Sequence, residues 1–214
     1  MSFDQYQTAS SFSVGTYNVR GFSDSKKQVQ IMQYLKKFKC EFYCLADTRF
    51  DNFKENQFRN AYGSQYRIFC ANYSSNARGT MILVSKQTPF DLINYVATPD
   101  GNRITIIFKY YGKQISLSAL YGPNSDEPDF FESLFSDVFA LNIDHNIITG
   151  DWNTAPEPKD YANYVTFPHP GARAAIIEAL RDYNCFDTYR HFNKNTRAFT
   201  YRSDSGPQKS RLDY

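Results

Sequence analysis

Asn146-Ile147-Ile148-Thr149-Gly150-Asp151-Trp152-Asn153 carries an apolar run to a glycine, then sets a carboxylate, an indole and a carboxamide in consecutive positions. The run predicts a buried strand and the glycine its end. Side chains alternate along an extended chain, so Asp151 and Asn153 share a face, opposite Trp152, if the strand direction persists. Taken alone, the stretch reads equally well as a strand followed by a polar turn, because Asp, Asn and Gly are ordinary turn residues. The choice depends on what other parts of the chain bring beside it.

Just before it, Phe130, Phe131, Leu134, Phe135, Val138 and Phe139 recur at helical spacing and predict a helix over 128–141. Further upstream, strand-like runs occupy 66–71, 80–85, 90–96, 103–110 and 114–120. Turn signals at 76–79, 99–102 and 112–113 separate them, which favours antiparallel hairpins. At the start of the chain, 12–18 reads as a strand, 25–38 as an amphipathic helix with Val29, Ile31, Met32, Leu35 and Phe38 on its apolar face, and 41–46 as a second strand. Strand, helix and strand in that order make a βαβ-like unit with a parallel pair. A short helix is expected at 52–60. After Asn153 come a loop rich in Pro, Lys and Tyr, a helix over 172–183, and polar segments ending in Phe199-Thr200-Tyr201 and Ser210-Arg211-Leu212-Asp213-Tyr214. With no repeat, low-complexity tract or linker, the chain reads as one α/β domain of mixed sheets with helices outside, spanning 12–214 behind a flexible N-terminus at 1–11.

Composition sets limits on function. At 214 residues and 42% hydrophobic, the chain can bury a substantial core. Its net charge of +2 neither demands nor excludes nucleic acid, so any electrostatic footprint must be local. Cys40, Cys44, Cys70 and Cys185 lack CxxC spacing and read as reduced core thiols, not a zinc site. No stretch approaches the length of a membrane span. Neither a G-x-S-x-G elbow nor a P-loop is present, and His145, His169 and His191 sit before a strand, between prolines and in a polar segment.

The polar residues that close apolar runs are Asn18, Asp47, Tyr121, Asp151, Asn153 and, less regularly, Asp213. In α/β sheets that edge is where ligands gather. Carboxylates with carboxamides form a hard-oxygen set that suits Mg²⁺ or Mn²⁺, with phosphate and water completing the shell.

Thr16-Tyr17-Asn18-Val19-Arg20-Gly21, Leu45-Ala46-Asp47-Thr48-Arg49, Arg78-Gly79-Thr80, Leu120-Tyr121-Gly122-Pro123-Asn124, Thr149-Gly150-Asp151-Trp152-Asn153 and Ser210-Arg211-Leu212-Asp213-Tyr214 occur in the order and approximate spacing of the endonuclease/exonuclease/phosphatase superfamily. The chain most resembles the endonuclease domain of non-LTR (LINE-type) retrotransposons, which is similar to abasic-site endonucleases. That resemblance implies a four-layer α/β sandwich of two packed mixed sheets with helices outside, cutting DNA phosphodiesters with Mg²⁺ or Mn²⁺. It places Asn18 and Asp47 at the metal, Tyr121 against the scissile phosphate, Asp151 on the attacking water with Asn153 beside it, and Asp213 behind a histidine. Arg20, Arg78, Asn124, Thr200, Arg202 and Arg211 become candidates for substrate contact, with 202–209 as a groove-probing hairpin loop turning at Ser205-Gly206-Pro207.

Two departures from the family pattern stand out. Asp47 occupies a position where the family usually has Glu, one methylene longer. The family's final Ser-Asp-His motif lies beyond Tyr214, so the reading expects a domain lacking its C-terminal strands and, in these residues alone, impaired in activity. Its partners are expected to be double-stranded DNA and a reverse transcriptase domain of the same polyprotein, its state a monomer and its site of action the nucleus, reached from the cytoplasm. The alternatives are a cellular abasic-site repair enzyme or another phosphohydrolase of the same fold, and a non-catalytic DNA-binding fragment.

Overall fold

Two four-stranded sheets, each one strand short of uniform direction, lie face to face in a computed structural model that describes residues 11–164, 166–204 and 206–214. The first runs in the order β1 (Val14–Asn18), β2 (Phe42–Ala46), β4 (Thr80–Ser85), β3 (Tyr66–Ala71). Its β1 and β2 are parallel, as a strand, crossover helix and strand require, and its other pairs are antiparallel. The second runs β5 (Asp91–Ala97), β6 (Arg103–Tyr110), β7 (Lys113–Tyr121), β8 (His145–Asp151), antiparallel except for β7 with β8, which are joined through helix α3 (Pro128–Ala140).

The period of two divides each strand between two cores. Phe42 and Cys44 of β2, Ile82 and Val84 of β4, Ile104, Ile106 and Phe108 of β6, and Ile115, Leu117 and Ala119 of β7 face one another between the sheets. Their alternates Tyr43, Leu45, Met81 and Leu83 turn outward onto α1 (Ser25–Lys36) and α2 (Asn52–Tyr62). On the far side, Leu120 and Trp152 meet α3 and α4 (Pro170–Asp182) through Phe131, Leu134, Phe135, Val138, Ala172 and Ile176. The result is the four-layer sandwich, helices on sheet on sheet on helices.

Helix starts follow local chemistry. Asp24 and Asp51 cap α1 and α2 by accepting from the Lys27 and Lys54 amides, each at 2.8 Å. The carboxylate of Asp126, from the loop before α3, caps α4 by accepting from the Gly171 and Ala172 amides at 3.0 and 2.7 Å. The apolar stripe of α1 is narrower than the sequence suggests. Gln28, Ile31, Met32 and Leu35 are buried, whereas Val29 is 47% exposed and Phe38 57% exposed. Val29 lies off the 28, 31, 32, 35 stripe and Phe38 lies past the helix end.

Three features escaped the sequence reading. A 3-10 turn at Pro158–Asp160 leads into β9 (Tyr161–Ala162), and α5 (Thr188–Phe192) forms in a segment read as irregular. The hairpin expected near the end is present, β10 (Tyr201–Arg202) with β11 (Lys209–Ser210), and β9 pairs on its other side. Its expected turn residue Ser205 lies outside the described residues. So does almost all of the N-terminal stretch expected to be flexible; at its end, the Ser11 carbonyl accepts from the Tyr110 hydroxyl at 3.0 Å. Of the cysteines, Cys44 is in the core, while Cys40, Cys70 and Cys185 are half-buried, and all are free thiols. No helix among the described residues is long and apolar enough to cross a membrane.

Candidate active site

The sheets bring the ends of β1, β2, β7 and β8 to one edge, and the segment Leu212–Tyr214 runs alongside. β7 and β8 are in parallel register to the last pair, Tyr121 opposite Asp151. Beyond that pair the two chains almost touch. A Cβ on Gly150 would lie 2.1 Å from the Leu120 carbonyl oxygen, and one on Gly122 would lie 2.2 Å from that of Trp152. Glycine is required at both positions, and the close approach lets the Gly122 amide donate to the Asp151 carbonyl at 2.7 Å.

Asp151 is held between two donors. The Asn18 side-chain amide donates to its Oδ2 at 2.6 Å and the Asn153 backbone amide to its Oδ1 at 3.0 Å. Asn153 departs from the strand, taking left-handed backbone with φ 52, and its side chain donates to the Gly122 carbonyl at 2.7 Å. Trp152 turns the other way, onto Phe131 and Phe135. The stretch is a strand that ends at Asp151 and bends at Asn153, so the strand direction does not persist to place Asp151 and Asn153 on one face. Burial pushes the Asp151 carboxyl above the usual carboxylate range; the Asn18 and Asn153 bonds oppose this, and the nearby Asp47 charge adds to it.

Asp213 bridges to Asp151 in antiparallel fashion, with Trp152 N donating to Leu212 O and Tyr214 N to Gly150 O. Burial and then the Asp151 charge raise its carboxyl to about 6. Its Oδ1 is buried with no hydrogen-bond partner among the described residues. Of the histidines, His145 opens β8 on the exposed side, His169 precedes α4 and His191 packs against Phe186 and Phe192.

Asp47 lies in a turn pinned on both sides. Gly21 N donates to Asp47 O and Phe22 N to Thr48 O, while Thr48 N and Arg49 N donate to the carbonyls of Gly79 and Arg78. Arg20, Asp47, Arg49, Arg78 and Asn153 all take left-handed backbone, with φ between 46 and 60. Such conformations cost on the order of 1 kcal/mol each for side-chain-bearing residues. Six other non-glycine residues among those described share this conformation elsewhere, so what sets this edge apart is that these five lie together beside the carboxylates.

Of the expected substrate contacts, Arg20 is exposed and close enough to pull the carboxyls of Asp151 and Asp213 downward, although burial dominates both. Arg78, over the Tyr73 ring at 5.0 Å, and Asn124 and Arg202 are likewise on the surface. Two assignments need correction. Arg211 is 2% exposed and its guanidinium is committed to Asp160 and Asp187, with Arg190 completing the group. A phosphate cannot reach it without breaking a buried ion pair. Thr200, although exposed, uses its hydroxyl oxygen to accept from the Leu212 and Asp213 amides at 3.0 and 3.2 Å, so the contact it makes in the structure positions the Asp213 segment. Asp160, Asp187 and Arg190 carried no sequence signal, since local pattern does not reveal a charge buried by distant elements.

Two grooves lie elsewhere: one between β3 and β5, lined by Arg67, Phe69, Phe90 and Leu92, the other beside β9, lined by Tyr161, Tyr164, Phe167 and Arg197. Neither shares a residue with the carboxylate edge.

The model of the endonuclease/exonuclease/phosphatase family matches residues 15–214. The chain belongs to that family. Solved structures agree on the fold. The AP endonuclease LMAP from Leishmania major superposes with a TM-score of 0.79 at 17% identity, over 94% of this chain and 77% of that one. An AP endonuclease from Archaeoglobus fulgidus gives 0.71 at 19% identity, over 94% and 84%. A Neisseria 3′ phosphatase bound to a product DNA hairpin gives 0.74 at 15%, over 95% and 85%.

Members of this family typically depend on a divalent cation, and the donors at this edge bear on whether one fits here. Among the described residues no group of three or more His, Cys, Asp or Glu side chains could hold a metal unaided. The chemistry fits a different arrangement. Asp47 and Asp151 are near enough to repel, which a cation relieves, and Mg²⁺ commonly takes only one or two carboxylates, filling its shell with water and substrate phosphate. Asp47 and Asn18 are the residues that would hold it.

Proposed function

We propose that this chain is a divalent-metal-dependent DNA phosphodiesterase, acting as an endonuclease that leaves a 3′ hydroxyl. The observation that carries the reading is Asp151: a carboxylate with an upward-shifted pKa, fixed by two donors, at an edge where Asn18, Asp47 and Tyr121 also converge. A cation bound at Asp47 and Asn18 would supply charge neutralisation at the phosphate and at the leaving oxygen.

The chain's own residues divide the remaining work. Asp151 takes a proton from the attacking water, and its raised basicity makes it a better acceptor than an exposed aspartate. Asn18 and the Asn153 amide fix the direction of that carboxylate, which matters because general-base catalysis depends on hydrogen-bond reach to the nucleophile. Water oxygen attacks phosphorus as Asp151 takes its proton, the bond to the 3′ oxygen breaks, and that oxygen takes a proton from solvent to end as a hydroxyl, leaving the 5′ phosphate on the other strand end. Tyr121, opposite Asp151 in the register, contacts the phosphate. The Asp213 segment supports the end of β8 through its backbone bridge, while its carboxylate repels that of Asp151.

Motif likeness supports the narrower role of nicking target DNA so that the 3′ hydroxyl primes a reverse transcriptase domain of the same polyprotein. A second reading, abasic-site repair, is supported by the two AP endonuclease structures. Mg²⁺-dependent cleavage of an intact supercoiled plasmid and of a duplex with one abasic site separates the two. Nicking of intact DNA at a comparable rate supports the retrotransposon role, whereas cleavage confined to the abasic duplex supports repair. Cleavage of neither, in Mg²⁺ or Mn²⁺, contradicts both.

A further inference from the structure

The carboxylate expected to hold the cation is already covered by a cation from its own loop. Arg49 Nε donates to Asp47 Oδ1 at 3.0 Å and Nη2 to Oδ2 at 2.7 Å, a two-pronged bond that takes both carboxylate oxygens. A pair only two residues apart can close this way because Asp47 and Arg49 both adopt left-handed backbone, with φ 57 and 56, around the buried Thr48.

The two partners differ in freedom. The Asp47 side chain is 4% exposed and its turn is tied to both neighbouring segments. The Arg49 side chain is 40% exposed. Its guanidinium can therefore leave the carboxylate while the backbone stays in place. A phosphodiester offers the same fork two anionic oxygens, the other partner to which planar guanidinium geometry is matched.

We propose that Arg49 is a latch on the cation site: in the free protein it lies across Asp47 and competes with a divalent cation, and an incoming phosphodiester draws it off and uncovers the carboxylate. This rests on the phosphodiesterase reading above. Cation and DNA then tighten each other's binding by the same factor, as linkage requires. The device keeps a cation from settling where no substrate is present, and it places the Arg49 charge on the phosphate just when Asp47 is released.

The test is Mn²⁺ binding followed by electron paramagnetic resonance of the free ion, with no turnover measured. Wild type, Arg49→Gln, Arg49→Lys and Asp47→Asn are titrated with and without a short phosphorothioate duplex. Without DNA, Arg49→Gln is expected to bind Mn²⁺ about tenfold tighter than wild type. Arg49→Lys, with a point charge and no fork, falls between them, and Asp47→Asn binds weakly throughout. The duplex is expected to tighten Mn²⁺ binding to wild type about tenfold more than to Arg49→Gln, in which only the phosphate's own ligation of the ion is left to couple the two. Equal Mn²⁺ affinity of wild type and Arg49→Gln without DNA, or equal tightening of both by the duplex, overturns the latch. Because no cleavage is read, a failed latch beside intact nicking leaves the nuclease reading standing, and the latch pattern in a protein that cuts no DNA removes the nuclease reading instead.

Discussion

Two clusters of aspartate and arginine in this molecule use the same residue types to opposite ends. In the first, Asp160 and Asp187 face Arg190 and Arg211; the Asp160 side chain is 0% exposed and Arg211 3%. Charges are matched two for two, and Tyr214 and Tyr189 close over Arg211 at 4.0 and 5.0 Å. In the second, Asp47, Asp151 and Asp213 are answered in the structure by one bonded guanidinium, that of Arg49, and by the exposed Arg20 at longer range. The matched cluster locks the last strand segment to the loop after β8. The unmatched one is joined to that lock through the Leu212–Tyr214 pairing and keeps carboxylates that repel one another, the repulsion that the proposed cation would relieve. A buried charge is structural when its partners complete it and chemical when they do not.

Removing one partner from the matched cluster should have the largest effect on folding. Arg211→Ala leaves Asp160 and Asp187 without their shared cation in a dry site, and a loss of about 3–5 kcal/mol in urea unfolding is expected. Arg211→Lys recovers little, because a point charge cannot serve two carboxylates with a planar fork. A loss well under 1 kcal/mol would show that this cluster is no better compensated than a surface pair.

The unmatched cluster should respond with the opposite sign. Folding raises the Asp213 carboxyl from its ordinary 3.8 to about 6. Stability from this group is fully present below about pH 4 and is lost as pH rises through about 6, because the unfolded chain ionises first. Asp213→Asn removes that penalty, so it should gain about 1–3 kcal/mol at pH 8 and almost nothing at pH 4. Equal shifts at both pH values would mean that the carboxyl is not held against its charge.

The fold was legible because its signals are local. Continuous apolar runs such as Thr80–Ser85 and the spacing of Phe131, Leu134, Phe135 and Val138 specify elements without reference to the rest of the chain. So was the membership of the carboxylate edge, since Asn18, Asp47, Tyr121 and Asp151 each end a readable strand. What stayed hidden depends on long-range placement. Arg211 carries the same charge as Arg202, yet one is buried among residues from the 3-10 turn, α5 with its cap, and the C-terminal segment and the other is exposed on the hairpin. Thr200, a candidate substrate contact in the sequence, accepts from two backbone amides of the C-terminal segment. The Asp47 and Arg49 clamp depends on left-handed backbone at two residues that are not glycine, which no propensity announces.

Outside both clusters, Arg202→Ala should have the smallest effect. The side chain is exposed on β10, and no ion pair or hydrogen bond of it to a buried group is found among the described residues, so stability should stay within about 0.5 kcal/mol. If it meets a DNA phosphate, the slope of log affinity against log salt should fall by about 1. An unchanged slope would remove the hairpin from the DNA interface.

The central claim, that the unmatched carboxylates form a hydrolytic centre, is tested most directly by the rate of Mg²⁺-dependent phosphodiester cleavage in wild type and Asp151→Asn, each with its urea midpoint. Asp151→Asn is expected to lose at least about a thousandfold in rate while remaining folded, because the amide keeps the side-chain shape and cannot take the proton. Cleavage by folded Asp151→Asn within about tenfold of wild type would contradict the account.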